Sequence, residues 1–104
     1  MNPRIPTDYH ETGAWLAGFV RSHAKREDTR VEALLATGGA HDGRSYGVRL
    51  TLGARIYPPL DTSPIELAFR EVAEGRTRFA WCQELGARIR VAARELLATA
   101  PAAG

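Results

Sequence analysis

Cysteine is nearly absent. Cys82 stands alone in 104 residues, so no internal disulfide can close and no thiolate cage can hold a metal. Lysine is as scarce: Lys25 is the single one against thirteen arginines. No apolar run approaches the ~20 residues that a membrane-spanning helix needs, so no membrane partner is expected. The opening stretch Met1-Asn2-Pro3-Arg4-Ile5-Pro6 has no apolar segment behind its arginine. It does not read as a signal peptide, and the expected location is the cytoplasm. The three histidines, His10, His23 and His41, lie far apart without ligand spacing. The glycine-rich run Gly38-Gly39-Ala40-His41-Asp42-Gly43 lacks the Gly-Lys-Ser/Thr ending of a phosphate cradle and precedes a strand rather than a helix. No cofactor and no metal are expected.

What is present is ordinary globular composition: 44% hydrophobic and 25% charged residues, suited to one domain. A chain of this size buries roughly two-thirds of the surface its unfolded form exposes. One α+β domain over residues 7–98 is expected, between a flexible N-terminus (1–6) and a flexible tail (99–104). The formal net charge is +2 and the sequence pI about 9.1. Arginine forks match phosphate oxygens, which allows nucleic-acid contact. A GC-rich genome, whose codons favour Arg, Ala and Gly, is the simpler account of the same composition.

The clearest pattern runs from Tyr46 to Tyr57. Tyr46, Val48, Leu50, Leu52, Ala54 and Ile56 alternate with Gly47, Arg49, Thr51, Gly53, Arg55 and Tyr57. Period two over twelve residues predicts one long strand with an apolar face and a polar, basic face. Pro58-Pro59 ends it. Thr29–Thr37 is ambiguous: Glu, Ala and Leu favour helix, while the long strand needs a partner. The pairing demand decides for strand, with Val31, Ala33 and Leu35 on one face.

Helices flank this hairpin. Asp8 and Glu11 form a capping box ahead of Tyr9, Thr12, Leu16, Phe19 and Val20 at helical spacing. Ser63-Pro64-Ile65-Glu66 predicts a second helix start, with Gly75 as its stop. A third helix over about Arg78–Leu97 carries the stripe Phe79, Cys82, Leu85, Ile89, Ala92, Ala93, Leu96 and Leu97. The expected fold is α+β: a helix, an antiparallel β-hairpin and two helices, with the helices packed on one face of the small sheet. A long free edge also invites pairing with a second copy.

No constellation here predicts catalysis. Cys82 has no neighbouring histidine and falls on an apolar stripe, the place of an inert thiol. Glu71 and Glu74, like Asp8 and Glu11, are spaced as on a solvated helix face. His41-Asp42 offers two adjacent ligands on a turn, too few for a metal. Ala14-Trp15-Leu16-Ala17-Gly18-Phe19-Val20 resembles the opening of the LAGLIDADG homing-endonuclease helix, over about seven of 104 residues. That resemblance implies a metal-binding acid directly afterwards, and this chain has Arg21 there.

The candidate contact residues are therefore Arg44, Arg49, Arg55 and Tyr57 on the hairpin and Arg88 on the last helix. Arginine beside exposed aromatics is what binding hot spots use. The same residues also suit a solvated face whose arginine stems cover apolar surface. The expected function is a non-enzymatic protein-binding module (an inhibitor, adaptor or regulator) acting on a protein partner or on itself as a homodimer. The alternative is a nucleic-acid-binding module that uses the basic strand face and the last-helix arginines.

Overall fold

The computed structural model describes residues 8–98; the expectations for 1–6 and 99–104 lie outside them. The chain runs through helix α1 (Tyr9–Glu27), strand β1 (Glu32–Ala36) and a short 3-10 turn at Gly39–His41. Then follow β2 (Ser45–Leu52), β3 (Arg55–Tyr57), β4 (Ile65–Ala68), α2 (Phe69–Gly75) and α3 (Phe79–Ala98). Three helices pack against a four-stranded antiparallel sheet, the α+β class expected from the sequence.

β2 is the centre of the sheet. β1 pairs along one side, from Glu32 opposite Thr51 to Ala36 opposite Gly47. β4 and β3 share the other side in succession: β4 pairs with Ser45–Val48 and β3 with Leu50–Leu52. Within the segment Thr29–Thr37, Glu32–Ala36 is thus a strand despite the local helical propensity. Burial of Ala33 and Leu35 against the helices, opposite Leu50 and Val48, outweighs the local preference.

The single long strand is corrected. A two-residue turn, Gly53-Ala54, folds it back on itself, with Leu52 opposite Arg55. Gly53 has φ +61° and Ala54 does not have positive φ, the pattern of a type II′ hairpin turn. The turn reverses the alternation. Paired residues share a face, so Arg55 and Tyr57 join Leu52 and Leu50 on the helix side. Ile56 joins Thr51 on the outer side.

The second helix is also shorter than expected. Ser63-Pro64 does not open it; Ile65–Ala68 is strand, and α2 begins at Phe69. The unpaired side of β2 over Ser45–Val48 takes this segment. Ile65 and Leu67 alternate with Glu66 and Ala68 and meet Val48 and Tyr46. Asp8 does sit at the α1 N-cap, yet its side chain makes no capping bond, and the Glu11 carboxylate stands 3.8 Å from Arg76 instead.

The core lies between the inner sheet face and α1 and α3. Tyr9, Leu16 and Val20 of α1 meet Tyr46, Val48 and Leu50 of β2 and Leu85, Ile89 and Leu96 of α3, all buried. Each such side chain contributes roughly 1.5–3 kcal/mol by leaving water. Tyr9 and Tyr46 stack with ring centroids 4.8 Å apart. The Tyr46 hydroxyl donates to the Tyr9 carbonyl at 2.6 Å, and the Tyr9 hydroxyl faces three carbonyls, nearest Ser45 at 2.6 Å. Both polar ends are thereby satisfied inside the core. Burial, and then the neighbouring Tyr9, pushes the Tyr46 phenol up to about 12. Gly13 lies under the Tyr46 ring, where an added Cβ would stand 3.0 Å from it, while Gly18 faces open space. The α3 stripe is buried from Leu85 to Leu96, but Phe79 departs from it and is 77% exposed.

Candidate functional site

The five candidate residues separate into three groups. Arg49 lies on the outer sheet face, where the Pro58–Thr62 loop folds beneath it. Its Nη1 donates to the Pro58 and Pro59 carbonyls and its Nη2 to the Thr62 carbonyl, each at 2.7 Å. A loop rich in proline offers carbonyls and few N–H donors of its own. The guanidinium supplies those donors and fixes the loop.

Arg55, turned to the helix side by the Gly53 turn, reaches the end of α3. Its Nη1 donates to the Leu97 carbonyl at 3.1 Å. A cation here complements the carbonyls that the last helical turn leaves without intrahelical partners. Arg49 and Arg55 thus sit on opposite faces, which corrects the expectation that they share one with Thr51 and Tyr57.

Arg44 stands apart and exposed, beside Phe69 and Arg70 in a shallow hollow. Its carbonyl accepts the Phe69 N–H at 2.8 Å, which ties the approach to β2 to the start of α2.

Tyr57 and Arg88 do come together. Each lines a cleft of about 400 Å3 between the β3 and β4 side of the sheet and α3. Pro58 and Ile65 form one wall with Tyr57; Val91 and Ala92 form the other with Arg88. The wall surface is mainly hydrocarbon, and Val91 is 52% exposed. Arg88, exposed on the helix, is the cation of this cleft.

A second cluster resembles a catalytic triad in composition only. His41 Nδ1 lies 2.9 Å from Ser45 Oγ and 3.7 Å from Glu66 Oε2. Proton relay through an imidazole needs the hydroxyl and the carboxylate on different ring nitrogens. Here both meet Nδ1. The Nε2 edge lies over Gly47, where an added Cβ would stand 3.0 Å from it. His41 is a packing residue of the outer face, and with Pro64 it buries Gly47.

The remaining candidates have local uses. Cys82 Sγ lies 3.7 Å from the Gly75 and Arg76 carbonyls, a weak thiol contact at the end of α2. Glu71 accepts from Trp81 Nε1 at 3.3 Å. Trp15 and Trp81 are half-buried against the core, ring centroids 6.3 Å apart. Arg21, where the homing-endonuclease resemblance requires an acid, pairs with Glu32 at 3.1 Å. No group of three or more His, Cys, Asp or Glu that could hold a metal occurs among the described residues. No helix among them is long and apolar enough to cross a membrane.

Sequence reasoning passed over His23, which lacks a ligand-spaced neighbour. The signal that finds it is a different one. Trp15, Phe19 and His23 recur every four residues along α1, and their rings meet in a row, Trp15 to Phe19 at 5.0 Å and Phe19 to His23 at 4.4 Å. Comparison with protein-family models, with curated proteins and with solved structures gives no match.

Proposed function

We propose that this chain is a non-enzymatic protein-binding module that takes an apolar partner segment carrying a carboxylate. The observation that carries the reading is the convergence of Tyr57 and Arg88 on one open, hydrocarbon-walled cleft. An aliphatic or aromatic side chain of the partner fills the space between Ile65 and Val91. A following Asp or Glu meets the Arg88 guanidinium, which forks well onto carboxylate. An aromatic and an arginine at the rim of an apolar hollow are the usual anchors of protein interfaces. A reducing compartment, the cytoplasm, suits the single cysteine.

The test is affinity purification from the native extract with the wild-type chain and with Val91→Glu and Arg88→Ala. Both substitutions are at exposed positions, so the fold persists, as circular dichroism will verify. A protein retained by the wild type and lost with both variants is the expected result. The same retained set in all three overturns the reading.

A second reading, self-association, rests on the sheet edge. Among the described residues β1 is paired on one side only, and Leu34 is 48% exposed. Such an edge recruits an antiparallel copy. A protomer molar mass by light scattering at micromolar concentration rules that out. The nucleic-acid alternative draws less support, because Arg49 and Arg55 direct their donors to carbonyls of the same chain. A mobility shift at low salt that disappears at high salt would revive it.

A further inference from the structure

The opposite flank of α3 holds a second cleft, of about 370 Å3, against α1. His23 and Arg26 line it from α1, Phe79, Cys82 and Arg90 from α3. Its walls contain two buried polar atoms that the fold leaves without hydrogen-bond partners, His23 Nδ1 and Arg90 Nε. Both atoms are sealed from the cleft, Nδ1 against Gly86 of α3, so the cleft is left with the outer ends of these side chains. The imidazole is clamped in place. Phe19 packs against it with the rings tilted and their centroids 4.4 Å apart, and α3 approaches so closely at Gly86 that an added Cβ would stand 2.8 Å from the ring.

The charge is unmatched as well. Arg21, Lys25, Arg30, Arg76 and Arg94 each face a carboxylate within 4.0 Å. Among the described residues no such ion pair forms at Arg26 or Arg90, although both act on His23. Burial, then Arg26 and Arg90, hold the imidazole below its ordinary value. Phe79 stands at the cleft 77% exposed, an apolar ring without a partner of its own.

We infer that this cleft binds an oxyanion carried on a flat apolar body, an aryl carboxylate or aryl phosphate. The oxyanion takes the terminal guanidinium donors of Arg26 and Arg90 and the His23 Nε2, and the aryl ring packs on Phe79. Two guanidiniums and an imidazolium are the groups that recognise such oxygens. The groups facing His23 are Arg26 on α1 and Arg90 and Cys82 on α3. The arginines stay charged throughout, so His23 is the group that answers the anion with a proton.

The experiment is a titration of the full chain followed through the His23 ring signals by NMR. The probes are benzoate and phenyl phosphate, with acetate and inorganic phosphate as their body-less counterparts. The expected result is a saturable shift with the aryl probes at about 10 mM or below and a rise in the His23 pKa on binding. By reciprocity, affinity drops about tenfold for each unit of that rise as the pH passes above the titration. Arg90→Met, which keeps the stem, removes the saturable shift; Phe79→Ser, at an exposed position, weakens the aryl probes alone. A stronger response to benzoate selects carboxylate, and to phenyl phosphate, phosphate. A linear, non-saturating shift, an equal shift in Arg90→Met, or equal binding of body-less and aryl probes overturns the assignment.

Discussion

The hairpin and the flanks of α3 treat the same side chain differently. On the hairpin, Arg49 and Arg55 donate to four backbone carbonyls, three in the Pro58–Thr62 loop and one at the end of α3. On α3, Arg88 stands exposed at one cleft and Arg90 lines another, its Nε buried without a partner. Both regions look equally basic in sequence. Carbonyl supply separates them. A proline-rich loop and a helix end have acceptors to spare, and arginine is drawn in to satisfy them. The flanks of an uninterrupted helix have their carbonyls in the helical ladder, so arginines there find no backbone acceptor, and Arg94 turns to the Glu27 carboxylate instead. A basic cluster is therefore a contact surface only after the acceptors of its own chain have been counted.

The largest effect should come from breaking the turn that sorts the two regions. Gly53→Val forces a β-branched residue to φ +61° at a cost of about 2 kcal/mol. For a domain this size that lowers the midpoint of thermal unfolding by roughly 8–16 °C. Next, Arg49→Met removes three charge-assisted bonds while keeping the stem. It should cost about 1–2 kcal/mol and speed amide exchange through the Pro58–Thr62 loop. Wild-type exchange rates there would show that the loop does not depend on Arg49. Arg55→Met loses one bond at a helix end, and about 0.5–1 kcal/mol is expected by chemical denaturation. Arg88→Ala removes a side chain from the other region and should leave stability within about 0.5 kcal/mol. A larger loss would place Arg88 among the structural arginines and dissolve the contrast.

Much of the fold was legible because it rests on alternation and pairing. The apolar run Tyr46, Val48, Leu50 called for helices beneath it, and its need for a neighbour made Thr29–Thr37 a strand, which the structure bears out over Glu32–Ala36. What was not legible depended on a single turn. Alternation through Gly53-Ala54 is the same string whether the chain continues or folds back, yet folding back moves Tyr57 from the outer face to the inner one. Ser63-Pro64 misled for a related reason. A capping box is a local signal, and the unpaired side of β2 is a non-local demand that took Ile65–Ala68 instead. The candidate site was half legible. Tyr57 and Arg88 line one cleft, but Arg49 and Arg55 had partners that no spacing could announce, since carbonyls carry no sequence identity. His23 was invisible for the opposite reason: its neighbours Arg90 and Gly86 come from a helix more than sixty residues away.

The unmatched corner around His23 gives the smallest expected effect and the sharpest sign. Its folded pKa lies below the ordinary 6.5, through burial first and then Arg26 and Arg90. Between those two values the unfolded chain binds the proton and the folded chain does not, so stability rises with pH. The contribution is complete above about 6.5 and is lost as the pH falls through the depressed folded value. The matched region loses its contribution in a separate, lower window. Asp28, held at about 2 by Arg30 against an ordinary 3.8, gives up its share only as the pH falls between those values. Glu32, lowered by Lys25 from 4.5, begins to lose its own below that point. A thermal midpoint that declines from pH 7 to pH 5 in the wild type, and declines less in His23→Gln, is the expected outcome. Parallel declines in the two proteins would mean that the imidazole is solvated, and the contrast between matched charges and the unmatched cleft beside α3 would fall with it.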